Sequence, residues 1–302
     1  MIWWLLSVAL AEAPSTIPKG SKVLYSGVGL STFSRLDQGA GTQTRDRAVK
    51  PRLDLYGSWG AAEWLQLSLS APLQMGVVLD DPDLLPCPNL LSEEDYCSTW
   101  AGVGTARLDA RTPILKNTFK LTGGLAAMAD PWNRGTRGRY NAPGPGTASA
   151  EAFVVAGPVL PVGDWTVRII GVGAYAYSFA PKATSADGTI TVKAPGDQVR
   201  GSAELRVKPP APVAVETGVH LMQRLSGVPL SGDWGSQWFP ETKDRWNVLQ
   251  TRLVMGSAKV SFDLPSSMGI HVGGTWSYAV SEGPSDLFDV SVGWHKYFAP
   301  KG

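Results

Sequence analysis

Apolar and polar residues alternate one for one along most of this chain, in short runs whose connections are by turns tight and long. In the clearest run, Leu65, Leu67, Leu69, Ala71 and Leu73 are interleaved with Gln66, Ser68 and Ser70. A period of two sends successive side chains to opposite faces of an extended strand and does not suit a helix, whose faces repeat every 3.6 residues. Runs of this kind, with no helical span among them, predict a transmembrane β-barrel: apolar side chains meet lipid and polar ones meet a wet interior.

The strands are expected at Lys22–Phe33, Arg52–Trp59, Leu65–Leu73, Trp100–Arg111, Thr118–Met128 and Thr147–Val159. They continue at Trp165–Phe179, Arg200–Lys208, Val213–Leu225, Arg245–Phe262, Met268–Val280 and Leu287–Phe298. That makes an all-β, antiparallel up-and-down barrel of about twelve strands, an even number as bacterial barrels require. Tight turns follow the even-numbered strands and longer loops the odd ones. A water-soluble sandwich has no reason to sort its loops by length, whereas a barrel crossing a membrane has two unlike ends. Within the tenth strand the alternation changes parity near Gly256 and Ser257, where a β-bulge is expected. The segment Thr189–Val192 reads as an extension of a flanking strand.

Residues 1–11 are apolar and close on Ala9-Leu10-Ala11 ahead of Glu12, the pattern of a secretory signal peptide, although the only basic group before them is the initiator amine. Residues 12–21 read as a periplasmic N-terminal segment, 22–298 as the barrel and 299–302 as a tail. No other stretch approaches the roughly 18 apolar residues of a helical span. Thirty-four Gly and 12 Trp suit a barrel, since Gly relieves crowding where strands approach closely and Trp anchors at the membrane interface. The predicted location is the bacterial outer membrane.

The last strand alternates Phe288, Val290, Val292, Trp294 and Phe298 with Asp289, Ser291, Gly293, His295 and Tyr297, Lys296 interrupting its apolar face. It resembles the aromatic-tipped final strand that insertion machinery reads in outer-membrane barrels. The chain as a whole resembles small outer-membrane channel and transporter barrels. The hairpin from Tyr56-Gly57 to Leu73 resembles one found in the family of MetA-pathway-of-phenol-degradation proteins, over less than a tenth of the chain. These resemblances imply a membrane barrel and transfer no residue roles.

If the apolar faces meet lipid, the lumen receives Arg52, Asp54, Arg107, Asp109, Arg111, Lys120, Glu151, Arg168, Arg200, Glu204, Arg206, Lys208, Glu216, His220, Arg224, Arg252 and His271. An Arg or Lys facing hydrocarbon at mid-depth costs roughly 2–4 kcal/mol, so insertion alone forces this placement. One reading is a charged passage whose arginine excess favours anionic solutes. The other is a set of cross-strand ion pairs that fill a closed interior. A net charge of +1 gives no field for nucleic acid. The expected partners are outer-membrane lipid and lipopolysaccharide, the insertion machinery, and small solutes.

Cys87 and Cys97 share one acidic loop, 76–99, where an oxidising compartment would join them in a disulfide; two unpaired thiols are the alternative. Two thiols without a histidine fall short of zinc's four ligands. The carboxylates of that loop match no EF-hand spacing, and no cofactor is called for. Gly27-Val-Gly29 and Gly171-Val-Gly173 lie inside strands with no helix after them, so they cannot cradle a phosphate. His220 has Glu216 and Arg224 four residues away on either side, about 13 Å along a strand, and an acid–base role would need a partner from another strand. No compact Ser/His/Asp motif is present, so catalysis is not expected. The expected function is a channel or transporter for small solutes; a non-transporting adhesive barrel and a membrane-embedded lipid hydrolase are the alternatives.

Overall fold

The computed structural model describes residues 16–37, 44–78, 99–129, 148–179, 182–184, 191–193, 197–225, 252–279 and 285–300. Residues 1–11, which the sequence suggests as a signal peptide, both cysteines, the acidic residues 80–95 and the segment 245–251 lie outside the described residues.

The strands are β1 (Lys22–Asp37), β2 (Thr44–Ala62), β3 (Leu65–Val78), β4 (Thr99–Val103), β5 (Ala106–Lys116), β6 (Phe119–Ala129), β7 (Ser149–Val162) and β8 (Trp165–Ser178). After them come β9 (Lys182–Thr184), β10 (Thr191–Lys193), β11 (Gln198–Lys208), β12 (Val213–Arg224), β13 (Arg252–Leu264), β14 (Met268–Ala279) and β15 (Ser285–Phe298). Of these fifteen segments, β9 and β10 pair only with each other, and β4 and β5 are one strand interrupted at Gly104 and Thr105. Twelve antiparallel strands remain. Each pairs with its sequence neighbour, and β1 pairs with β15, which closes the ring and removes every sheet edge.

Each of the twelve expected strands occurs, the tenth being described only from Arg252 and the first three running beyond their expected bounds, and Thr191–Lys193 belongs to the small ribbon rather than to the barrel. The expected bulge at Gly256 and Ser257 is absent: β13 keeps one register against both β12 and β14 through these residues. Met255 simply points inward, where it is 1% exposed. Bulges occur instead at Thr32–Ser34, Gly60–Ala62 and Pro113–Leu115.

The sides of the strands differ as a bilayer requires. Leu69, Leu108, Leu125, Val154, Val219, Val272 and Val292 are all exposed on the outer wall. So much contiguous apolar surface would be an association hazard in water. Trp59, Trp64, Phe119, Trp165 and Phe298 ring one end, and Tyr175, Tyr177, Trp276 and Phe288 the other, the paired aromatic girdles of a membrane barrel. Tight connections at 63–64, 117–118, 163–164, 209–212 and 265–267 gather at the end that also holds Lys22 and Phe298. Gly163 supplies the positive φ (59°) that its two-residue turn needs. Residues 16–21 dock over this mouth: the Ile17 N–H donates to Gln66 Oε1 at 2.9 Å, and Ser21 Oγ lies 2.7 Å from the Tyr297 hydroxyl.

Candidate functional site

Because the wall is a single closed sheet, every second residue turns into the barrel, and these inward rows carry the charge. Three clusters form there.

The first spans β2, β1 and β15. Arg52 and Asp289 form a buried ion pair, with Ser31 bonded to the same carboxylate. Arg52 Nε also donates to Asp54 Oδ2 at 2.6 Å. Arg52 reaches β15 by crossing β1 over Gly29, its register partner. A methyl group on Gly29 would lie 2.7 Å from the guanidinium carbon, and Arg52 cannot retreat without leaving Asp289. Gly29→Ala is therefore expected to destabilise the barrel by about 1–3 kcal/mol, read as a lower urea midpoint for unfolding in detergent micelles. Beneath this cluster, Tyr25 stacks on His271 with ring centroids 5.2 Å apart, its hydroxyl 3.2 Å from Nε2. Gly27 and Gly293 leave the space that the phenol occupies.

The second cluster joins β5, β7 and β11. Glu151 accepts from Arg107 Nη1 at 2.7 Å and from Arg200, and Arg111 Nε donates to Asp109 at 2.7 Å. The Phe153 ring packs against both Arg107 and Arg111, whose guanidinium carbons are 5.1 and 5.2 Å from its centroid. The charged side chains of this cluster are at most 7% exposed. A broad aqueous bore beside them would leave them wet, so at this level side chains pack against one another.

The third cluster lies on β11, β12 and β13. His220 Nε2 is 2.9 Å from Ser257 Oγ, and Nδ1 is 3.8 Å from Glu204 Oε1. The order of groups is that of an acyl-transfer triad, but two features argue against that chemistry. The Glu–His separation exceeds a hydrogen bond. Ser257 sits in the middle of β13, paired on both sides, so the ladders occupy the backbone N–H groups that an oxyanion would need.

Of the expected lumen residues, Arg52, Arg107, Asp109, Arg111, Glu151, Arg200, Glu204, His220 and His271 are buried inside the barrel. Asp54, Lys120, Arg168, Arg206, Lys208 and Glu216 lie in the same inward parity and are partly exposed. Arg224 ends β12 opposite Gln198, and its side chain lies outside the described residues. Arg252 opens β13 opposite Gln223, and its side chain lies outside the described residues. Sequence reasoning missed Asp289, although its place between Phe288 and Val290 already marked it as inward. It also missed Met222 and Met255, apolar residues that fill the interior. Among the described residues, no group of three or more His, Cys, Asp or Glu side chains is arranged to hold a metal ion.

No protein family's sequence profile matches the chain, and no curated protein matches it. The resemblance to the phenol-degradation family therefore gains no support from sequence comparison. Solved structures do match in shape. The COG4313 outer membrane channel from Pseudomonas putida F1 is 12% identical with a TM-score of 0.63, covering 94% of this chain and 97% of that one. The translocator domain of the autotransporter NalP from Neisseria meningitidis is 11% identical with a TM-score of 0.50, covering 98% and 95%. At these identities the likeness is one of fold. A closed twelve-strand barrel of this fold, walled in apolar side chains between aromatic girdles, is a protein of the bacterial outer membrane.

Proposed function

We propose that the protein is an outer-membrane channel for small solutes, with the buried ion-pair clusters as its constriction. The observation that carries this reading is the interior itself: charged and hydrogen-bonding side chains occupy the inward rows from Arg168 and Arg206 near the tight-turn end to Arg52, Asp289 and Arg200 further up. A barrel needed only as an anchor has no use for so many buried charges, because each must be desolvated and then paired. The structures that the chain resembles include one described as a channel and one as an autotransporter translocator, so fold alone does not choose between such roles.

Purified protein in planar bilayers is expected to give small unitary conductance. Phe153→Ala should raise it, because the buried ring packs against the guanidinium groups of Arg107 and Arg111 inside the barrel. Absence of conductance from both proteins, each folded by heat-modifiable mobility, would remove the channel reading. The tight packing at the second cluster would then favour a closed barrel that acts through its outer loops. Lipid and lipopolysaccharide around the wall, and the insertion machinery at the aromatic end of β15, belong to the same proposal.

A further inference from the structure

The deep arginines all have carboxylate partners. Arg52 pairs with Asp289 and Asp54, Arg107 and Arg200 share Glu151, and Arg111 holds Asp109. Two arginines nearer the tight-turn end do not follow this rule. Arg168 on β8 and Arg206 on β11 are directly opposite each other across the ladder, both in the inward parity. Among the described residues, neither makes a hydrogen bond or an ion pair, and both are only partly buried.

The same row continues across the next two strands. Arg206 faces Glu216 on β12, and Glu216 faces Lys259 on β13. Glu216 Oε1 is 2.5 Å from Lys259 Nζ, so the one carboxylate of the row is already committed. Three cations against one anion leave two positive charges unbalanced. The Lys208–Asp263 pair at the rim below is neutral and does not offset them. Neighbouring strands lie about 4.8 Å apart, so the two arginine side chains leave the wall as direct cross-strand neighbours. Like charges directly opposite each other in a sheet are destabilising, and the more so where protein replaces water on one side. An oxyanion between them would relieve that repulsion and offer bidentate acceptors to both forks.

We infer that Arg168 and Arg206 form a binding site for a small oxyanion-bearing solute, a carboxylate or phosphate, at the tight-turn end of the lumen, with the negative charge of Glu216, ion-paired to Lys259 in the same row, weakening it. This deepens the channel reading by naming the class of solute, and it rests on that reading for its physiological meaning. The binding site itself is testable without any conductance.

Titration calorimetry on the folded protein in a zwitterionic detergent, at fixed ionic strength, uses succinate and inorganic phosphate as probes, with glucose as the neutral control. Wild type should bind at least one of the two anions saturably and should not bind glucose. R168Q/R206Q should lose that affinity by tenfold or more, on the order of the worth of one charge-assisted contact. K116Q, which removes a charge from the exposed end of β5, should bind like wild type, and E216Q should bind more tightly. The last result separates a site from a structural role, since removing a merely structural ion pair would not improve anion affinity. If the double variant fails to show heat-modifiable mobility, R206Q alone carries the comparison. Failure of wild type to bind either anion, or equal binding by wild type and the arginine variant, overturns the inference. Anion binding without bilayer conductance would retain this site and remove the channel reading; conductance without anion binding would do the reverse.

Discussion

Arg52→Met is expected to be the most damaging conservative-volume change inside the barrel, costing about 3–5 kcal/mol of folding free energy. Its guanidinium is ion-paired to two carboxylates, Asp289 at 0% and Asp54 at 15% side-chain exposure. Without it, two like charges face each other in a space with little water, and Ser31 is the remaining neutral partner of Asp289. Asp289→Asn should cost clearly less, because Asp54 still balances Arg52. The double variant R52M/D289L should recover much of the loss, since a well-packed apolar pair often matches a buried ion pair. Urea unfolding in lipid vesicles, followed by tryptophan fluorescence, measures all three. An Arg52→Met midpoint equal to wild type would contradict the pairing that organises this side of the interior.

Leu125→Arg is expected to cost about 2–4 kcal/mol when the barrel is folded into lipid vesicles. Leu125 lies mid-strand on β6, is 67% exposed, and has Ala110 and Ala152 as its cross-strand neighbours. In a water-soluble protein the same change at so exposed a position would fall within about 0.5 kcal/mol of neutral. Arginine placed at Ala211, in the tight connection between β11 and β12, should have almost no effect, because that end meets the aqueous boundary. The contrast between the two sites therefore reports the solvent around the wall. Equal, negligible effects at both positions would mean that the outer face of β6 is not in hydrocarbon.

Strand existence and facing were legible wherever the two faces differ strongly in chemistry. Arg200, Glu204 and Arg206 against Val199, Ala203 and Leu205 leave no doubt about which side is wet, and β11 turns them as the alternation predicts. The reading erred where an inward position is itself apolar. Met255 is buried on the inner face, so β13 keeps one parity throughout and the expected bulge at Gly256 and Ser257 is absent. A lumen lined purely by polar groups was the hidden assumption. In a barrel of this width, side chains partly fill the interior, and flexible thioethers fill gaps there as they do in any core.

Alternation along the chain determined that this protein is an antiparallel barrel of about twelve strands, with its charges inside and its aliphatic side chains outside, because the period of two and the cost of ionised groups in lipid are both local properties. Which charges meet was decided only by the tertiary structure. Arg52 finds Asp289 because closure brings β15 beside β1, at the far end of the chain, and because Gly29 lets the guanidinium pass. Arg168 and Arg206 stand together for the same reason, a cross-strand register. Spacing along a sequence carries no record of that register, since it is set by the hydrogen-bonded ladder between strands.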